Sequence, residues 1–443
     1  MNTNAPEDVI IVLAHDSRIH LHSGTLTRNS AFFASQLTEA NAIKLSKQAR
    51  DANIYHRWML ELRTMPTDED PAGILERVKL NTSGDRLDGR LGPVWNLNGL
   101  PTPKIFEQYK TILYAFYTST VEISSKTMEG ALDDSVGLIY IAEYLGCVPM
   151  VAKPVEVALV RHGQALYRAI AKMPVAWLNM ASRIKSELIF KEAMVHLAGN
   201  WRVLKTSSSK LEPQTRELVL KHHRELGRRS RKLELMLMSN YPGGICAPVE
   251  HRPIKCEEYA REILVWIALG WFRHWFGQQI INEKGYHGLD GGYGLYKQIH
   301  AAGDAYMDRS IINQFNEKFP MTKKAINVLE NHLLEIKEAF KGIVSQTGIM
   351  ENELHLDTGQ YEVRYLTCAR FDHAELPWLK EQVPLEPPVG GQKRGRIPGG
   401  NEIIRHTLDA ARRLQDQNQM QLDEEIVDGE DGDEFCKVRQ RTE

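Results

Sequence analysis

Apolar and polar positions divide the chain into a strand-like opening, a loop-rich stretch and a long helical body. Asp8-Val-Ile-Ile-Val-Leu13 is a Val/Ile-rich run of the kind that forms a buried strand. His15-Asp16-Ser17 supplies turn chemistry, and Ile19 and Leu21 then alternate with Arg18, His20 and His22. The two runs together predict a β-hairpin. Phe33 and Leu37 fall four apart behind Ser30, which is suited to cap a helix.

Residues 38–100 break this order. Asp68-Glu-Asp-Pro71 and Asn81-Thr-Ser-Gly84-Asp85 have loop composition, so the stretch reads as a partly flexible insertion ending in a short strand near Val94–Leu97. Helical spacing resumes after Thr102-Pro103, with Phe106, Tyr109, Leu113 and Phe116 on one face. Val121-Glu-Ile123 is a short strand candidate. Asp133-Asp134-Ser135 predicts the start of a helix that Gly146 ends.

From about 155 to 345 the pattern is mainly helical. It predicts one amphipathic segment over Val155–Ile170, a second over Trp177–Trp201 and a third from Pro213 to Met238. Tyr259–Ile281 reads as a very apolar helix carrying Trp266, Trp271 and Trp275 as a core stripe. Thr322–Val344 is amphipathic at 3-4 spacing. No internal repeat of fixed period is visible. Beyond about 383, Pro and Gly steps give a loop, Asn401 to about Met420 reads as one more helix, and Asp423–Glu434 is too acidic and too poor in apolar residues to order itself.

Composition narrows the function classes. The 443 residues carry a formal net charge of -2, with 42% hydrophobic and 25% charged residues. That is ordinary for a globular protein, and the balance argues against a nucleic-acid coat. The cysteines at 147, 246, 256, 368 and 436 are scattered without a C-x-x-C pair, as expected of free thiols in a reducing compartment. Cys246, His251 and Cys256 cluster on a Pro/Gly-rich loop but lack the paired spacing of a zinc site, so an ordinary loop is expected. The start is acidic and unlike a signal peptide. The longest apolar run, Ile263–Phe272, falls far short of the about 20 residues that span a bilayer. A cytoplasmic or nuclear protein without membrane association is expected.

Several elements together resemble a BTB/POZ domain over about residues 6–150. His22-x-x-x-Leu26 with Ser30-x-x-Phe33 resembles one element of that family, Leu113-x-x-x-Tyr117-Thr118 a second, and Ala142-x-Tyr144-Leu145-Gly146 its last core helix. The helical remainder is similar to a group of filamentous-fungal BTB proteins, on Leu166–Ile170, Pro174-x-x-Trp177-Leu178, Ser186–Ala193 and Phe272–Phe276. The resemblance implies an α+β protein: a BTB/POZ-like domain of a small sheet flanked by helices at 6–150, interrupted by the insertion at 38–100. A mainly α-helical domain at 151–380 and a flexible region with a disordered acidic tail at 381–443 follow. Three departures stand out. Asp8 matches the family's pocket acid, but Ser23 stands where its basic partner is expected. Only seven residues precede Asp8, so the leading helix exchanged in family dimers is missing. The insertion falls where cullin-binding members carry an apolar-x-Glu element, loosely matched by Leu37-Thr38-Glu39.

The resemblance implies a non-catalytic interaction protein that binds protein partners or forms a homodimer. Its best-defined partner would be a cullin-RING ubiquitin ligase, for which the chain would be a substrate adaptor. A nuclear scaffold or transcription-linked adaptor is the alternative. Asp8, Leu37, Glu39 and Tyr117 are the candidate interface residues, and Leu26, Phe33, Leu113, Phe116 and Leu145 the expected core.

No catalytic residue, cofactor or metal is nominated. No G-x-S-x-G or Cys/His signature exists. Gly288-Leu-Asp-Gly-Gly292-Tyr-Gly294 lacks a P-loop's Lys-Ser/Thr ending and reads as a turn between helices. His222-His223 reads as a solvated helix face. Arg228-Arg-Ser-Arg-Lys232 and Lys393-Arg394-Gly-Arg396 are basic clusters, candidates for nuclear localisation signals. The rival class is an enzyme with a pocket joining His274, His287, Asp290 and Asp304.

Overall fold

A computed structural model describes residues 6–88, 103–124, 126–204, 210–241 and 263–380. The expected hairpin forms. β1 (Val9–Ala14) pairs antiparallel with β2 (Ser17–Leu21), and α1 (Ser23–Asn29) and α2 (Ala31–Gln36) follow. Ser30 caps α2: its hydroxyl accepts the Phe33 N–H at 3.2 Å and donates to the Leu145 carbonyl at 2.5 Å. That places α2 against the end of a helix far along the chain.

The stretch expected as an insertion is part of the sheet instead. After α3 (Lys47–Asp51), β3 (Trp58–Thr64) lies parallel to β1, and β4 (Ile74–Arg77) antiparallel to β3, giving the order β2-β1-β3-β4. β3 is buried over its first five residues, so it shows no alternation, and Glu61 in its centre is paired with Arg86. A charged residue inside an otherwise apolar run disguised a central strand as loop. β1 is buried on both faces: Val9, Ile11 and Leu13 join the main core, while Ile10 and Val12 pack with Met59, Val78 and Leu80. The strand expected at Val94–Leu97 lies outside the described residues.

α4 (Lys104–Thr118) and α5 (Met128–Leu145) cover the sheet. Thr127, not the 133–135 segment, caps α5, and Gly146 ends it with φ 67°. A Cβ at Gly146 would sit 2.8 Å from the Ala31 Cβ, so both the left-handed turn and the close approach require glycine. Val121–Ile123 forms no strand. All five residues expected in the core (Leu26, Phe33, Leu113, Phe116 and Leu145) are buried.

The helical body is more finely divided than its periodicity indicates. Val155–Ile170 is split between α6 (Val148–Val160) and α7 (Gln164–Lys172) at Gly163, which has φ 51°. Trp177–Trp201 is split among α8 (Pro174–Ile184), α9 (Glu187–Gly199) and α10 (Trp201–Leu204). The first break is Lys185, in the left-handed region, followed by Ser186 as the cap of α9. α11 (Pro213–Ser239), α12 (Ile263–Ile281), α13 (Tyr293–Ala301), α14 (Ser310–Lys318) and α15 (Lys323–Gln346) follow, with the Thr322 hydroxyl capping α15. Gly288, Gly291 and Gly292 lie in the turn between α12 and α13, and Gly294 in the first turn of α13. Trp266, Trp271 and Trp275 are partly buried against the second core cluster.

Residues 350–372 contain neither helix nor strand, then a 3-10 turn leads to α16 (Pro377–Lys380). This irregular strap is nevertheless buried at Leu354, Leu356, Val363, Leu366, Cys368 and Ala369. Its first three buried residues belong to the core cluster that begins at Val9, and the last three to the cluster formed by α11, α12, α13 and α15. The strap therefore joins two cores. The segments expected as a helix at 401–420 and an acidic tail lie outside the described residues.

Candidate functional site

The four candidate interface residues have separate fates. Asp8 and Tyr117 meet at one corner of the sheet. The Asp8 carboxylate accepts both the Ser23 N–H and the Ser23 hydroxyl, each at 2.6 Å, anchoring the start of α1 to β1. A carboxylate at a helix N-terminus also complements the helix dipole. Ser23 thus has a direct use as the partner of Asp8. The Tyr117 hydroxyl accepts the His22 N–H at 2.8 Å and lies 3.3 Å from His22 Nδ1. Burial raises the Tyr117 pKa, so the hydroxyl stays protonated at neutral pH. Tyr117 is 36% exposed and Tyr114, one turn earlier, 52% exposed.

Leu37 and Glu39 do not share this corner's character. Leu37 is 7% exposed and packs into the main core, so it is unavailable as a docking anchor. Glu39 forms a two-pronged ion pair with Arg57, whose guanidinium also lies 4.7 Å from the Trp58 ring centroid. The Arg57 hydrogen bond lowers the Glu39 pKa.

A densely bonded polar group that the sequence does not announce lies at the contact between α9 and the strap. Glu192 and His196, one turn apart on α9, both have 0% side-chain exposure. The Glu192 carboxylate accepts the His355 N–H at 2.8 Å and the Leu356 N–H at 3.1 Å, and lies 3.0 Å from His355 Nδ1. His196 Nδ1 lies 2.7 Å from the Tyr365 hydroxyl, and its Nε2 faces Glu192 at 3.8 Å without a hydrogen bond. Burial pushes the His196 pKa down to about 4 and raises that of Tyr365, so both are neutral at pH 7. Tyr365 as donor to Nδ1 then leaves the imidazole proton on Nε2, toward Glu192. One turn further, a Cβ on Gly199 would lie 2.0 Å from the Leu366 carbonyl oxygen, so the strap rests on bare backbone there. Carboxylate, imidazole and phenol make an acid–base set in composition. Enclosed as they are, what they do is hold the strap.

Other residues offered as chemistry are also structural. His222 and His223, expected on a solvated face, are half-buried: His222 Nε2 lies 3.0 Å from the Glu375 carboxylate, and His223 Nδ1 donates to the Ala198 carbonyl at 2.9 Å. Desolvation lowers the pKa of both. Arg229, within the 228–232 cluster, donates to the Cys368, Thr347 and Gly348 carbonyls. Of the rival enzyme set, His274, His287 and Asp304 are exposed, and Asp290 accepts the Gly292 and Gly294 N–H groups at the start of α13. Among the described residues no group of three or more His, Cys, Asp or Glu side chains is placed to hold a metal ion. The Cys246/His251/Cys256 loop and the 393–396 cluster lie outside them. A cavity of about 400 Å³ opens beside α4 and α5, lined by Lys104, Glu107, Gln108 and Asp134, and contains none of the nominated residues. Lys104 is held there by Asp133 and Asp134. No helix among the described residues is long and apolar enough to cross a membrane.

Against known protein families, the fungal FF-domain model matches residues 242–346, which is 105 of the chain's 443 residues. The described part of this match holds α12 to α15. Neither the curated proteins nor the solved structures yield a match. The FF match corrects the BTB/POZ resemblance. It is to a different, helical domain type, it lies in the C-terminal half, and no BTB/POZ model matches the N-terminal region. The likeness rested on short patterns, and the structure shows why such patterns are weak. Leu26, Phe33, Leu113 and Leu145 are buried at 0% exposure, and any α+β core that packs helices on a sheet favours apolar residues at such spacings. The expected cullin-RING partner and the ubiquitin-ligase role were implied by that resemblance and lose its support, and the likeness to filamentous-fungal BTB proteins is corrected with it.

Proposed function

We propose that this chain is a non-catalytic protein–protein interaction protein. The observation that carries this reading is the corner formed by β2 and the end of α4. β2 is the outer strand of the sheet, with Arg18 and His20 exposed, and Tyr114 and Tyr117 stand beside its exit. An outer strand offers backbone groups to a partner strand, and exposed tyrosines supply rigid contact area with a polar tip. The placement of Asp8 and Tyr117 in this corner supports the reading.

The test is affinity capture with quantitative mass spectrometry, comparing wild type with Tyr114→Arg. Tyr114 is exposed, so the variant should fold, which circular dichroism checks. Partners retained by wild type and lost at least about tenfold from the variant support the proposal. Equal retention by both overturns this surface as the binding site. Light scattering on the purified chain shows whether one such partner is a second copy.

A further inference from the structure

α11 carries a surface that the sheet corner does not explain. Its 27 residues bury Leu218, Val219, Leu226, Leu233 and Leu237 on one side. The opposite side is exposed and on balance basic for three turns: Lys221, Arg224, Arg228, Arg231 and Lys232 against Glu217 and Glu225, with Arg228 paired to Glu225 and Lys221 to Glu375, each at 2.6 Å. It then becomes apolar, with Leu235 69% and Met238 40% exposed. In a helix of 3.6 residues per turn, positions 221, 224, 228, 231, 232, 235 and 238 fall on one stripe.

The loop after α12 is fastened to the same helix. Glu234 accepts the Tyr286 N–H at 2.7 Å, Ser230 Oγ donates to the Gly291 carbonyl at 3.4 Å, and the Arg231 guanidinium lies 5.1 Å from the Tyr286 ring centroid. At the two ends of this loop Ile281 is 80% and Leu289 71% exposed. Large aliphatic side chains at that exposure stand proud of their neighbours, on a loop that is fastened to the helix at Ser230, Arg231 and Glu234.

We propose that this face docks on an anionic lipid surface. Cations near a negatively charged bilayer gain electrostatic attraction, and protruding aliphatic side chains gain by entering the boundary between headgroups and acyl chains. The charge complementarity selects an anionic partner. The proud apolar tips select a lipid surface over a nucleic-acid duplex, whose phosphates offer leucine and isoleucine nothing to enter. They also select it over an acidic peptide, since an outward-facing helix stripe is the reverse of a groove that would enclose one. The docking is peripheral, so it is compatible with the lack of a spanning helix among the described residues. It departs from the expectation of no membrane association, which was drawn from spanning length alone. It does not depend on the sheet corner or on any protein partner.

The test is flotation of the full chain with phosphatidylcholine vesicles, with and without about one-third phosphatidylserine. The chain is expected to float with the anionic vesicles only, and less as salt is raised. Arg228→Glu with Lys232→Glu should reduce binding at least about tenfold. Leu235→Ser with Leu289→Ser should weaken it by about tenfold while leaving the salt dependence in place. Circular dichroism confirms that each variant folds. Flotation that is equal with neutral vesicles, or unchanged by the charge reversals, overturns the proposal. So does a failure to float at all, and duplex DNA or an acidic peptide bound in place of vesicles reassigns the surface.

Discussion

The sheet region and the strap region are both buried, yet they are held in different ways. Around β1 and β3 the interior is almost wholly aliphatic and aromatic, with Phe33, Tyr109, Leu60 and Leu113 at 0–1% exposure. Cohesion there follows apolar area and packing, which are non-directional. Between α9 and the strap the chain has no regular backbone partner. Its amides find acceptors one by one: Glu192 for His355 and the buried Leu356, and at the surface the Gln164 side chain for Asp357. Buried irregular backbone requires such acceptors, because an unmet N–H costs more than a made hydrogen bond returns. The difference teaches that an element without periodicity can be as firmly placed as a strand, provided that neighbouring side chains replace the ladder.

Three substitutions separate the two kinds of cohesion. Phe33→Ala, in the sheet region, should lose about 3–5 kcal/mol in denaturant unfolding through lost burial and a cavity. A loss below about 1 kcal/mol would show that this core is slack. Glu192→Ala should cost about 3 kcal/mol, since it strands the buried Leu356 amide and the half-buried His355 amide and leaves the His355 ring without its partner. The sharper form is Glu192→Leu, which fills volume without accepting hydrogen bonds. If it is as stable as wild type, the strap is held by packing and the contrast fails.

His196 gives a pH reading of the same contact. Its folded pKa lies near 4, below the ordinary histidine value, so protons favour the unfolded chain. The stability contributed by neutral His196 is complete above about pH 6.5, declines as pH falls and levels off once pH passes below about 4. By pH 5 the loss should reach about 2 kcal/mol. His196→Gln should show a shallower acid limb than wild type in chemical denaturation across that window, and an identical limb would place the proton elsewhere. Smallest of all, Glu39→Ala removes an ion pair from the exposed surface and should leave the thermal midpoint within error.

Legibility in the sequence followed the same division. The β1–β2 hairpin was visible because Ile19 and Leu21 alternate with polar residues, and α15 because Thr322 precedes a regular 3-4 pattern. β3 was not, because it is buried on both faces and carries Glu61, whose partner Arg86 is distant in sequence. Gly163 and Lys185 split two predicted helices, since apolar spacing survives a one-residue change of direction. Of the candidate interface residues, Asp8 and Tyr117 share a corner, whereas Leu37 is core. Its four-residue spacing from Phe33 was a packing signal. The α11 stripe was half visible, as a basic cluster; its exposed leucine and methionine became meaningful only when the opposite face was seen to be covered.

By itself the sequence determined the hairpin, most of the helical segments and the core positions Leu26, Phe33, Leu113, Phe116 and Leu145, whereas the α+β class was implied by a resemblance that did not hold. These depend on local periodicity and on the preference of apolar side chains for burial. Tertiary structure alone decided that β3 lies beside β1, that residues 350–372 are a buried strap, and that Glu192 and His196 hold it. The reason is physical. A periodic pattern specifies what one segment buries, but a hydrogen bond between α9 and residue 355 depends on where two distant segments meet. Nothing in the spacing of either segment encodes that meeting.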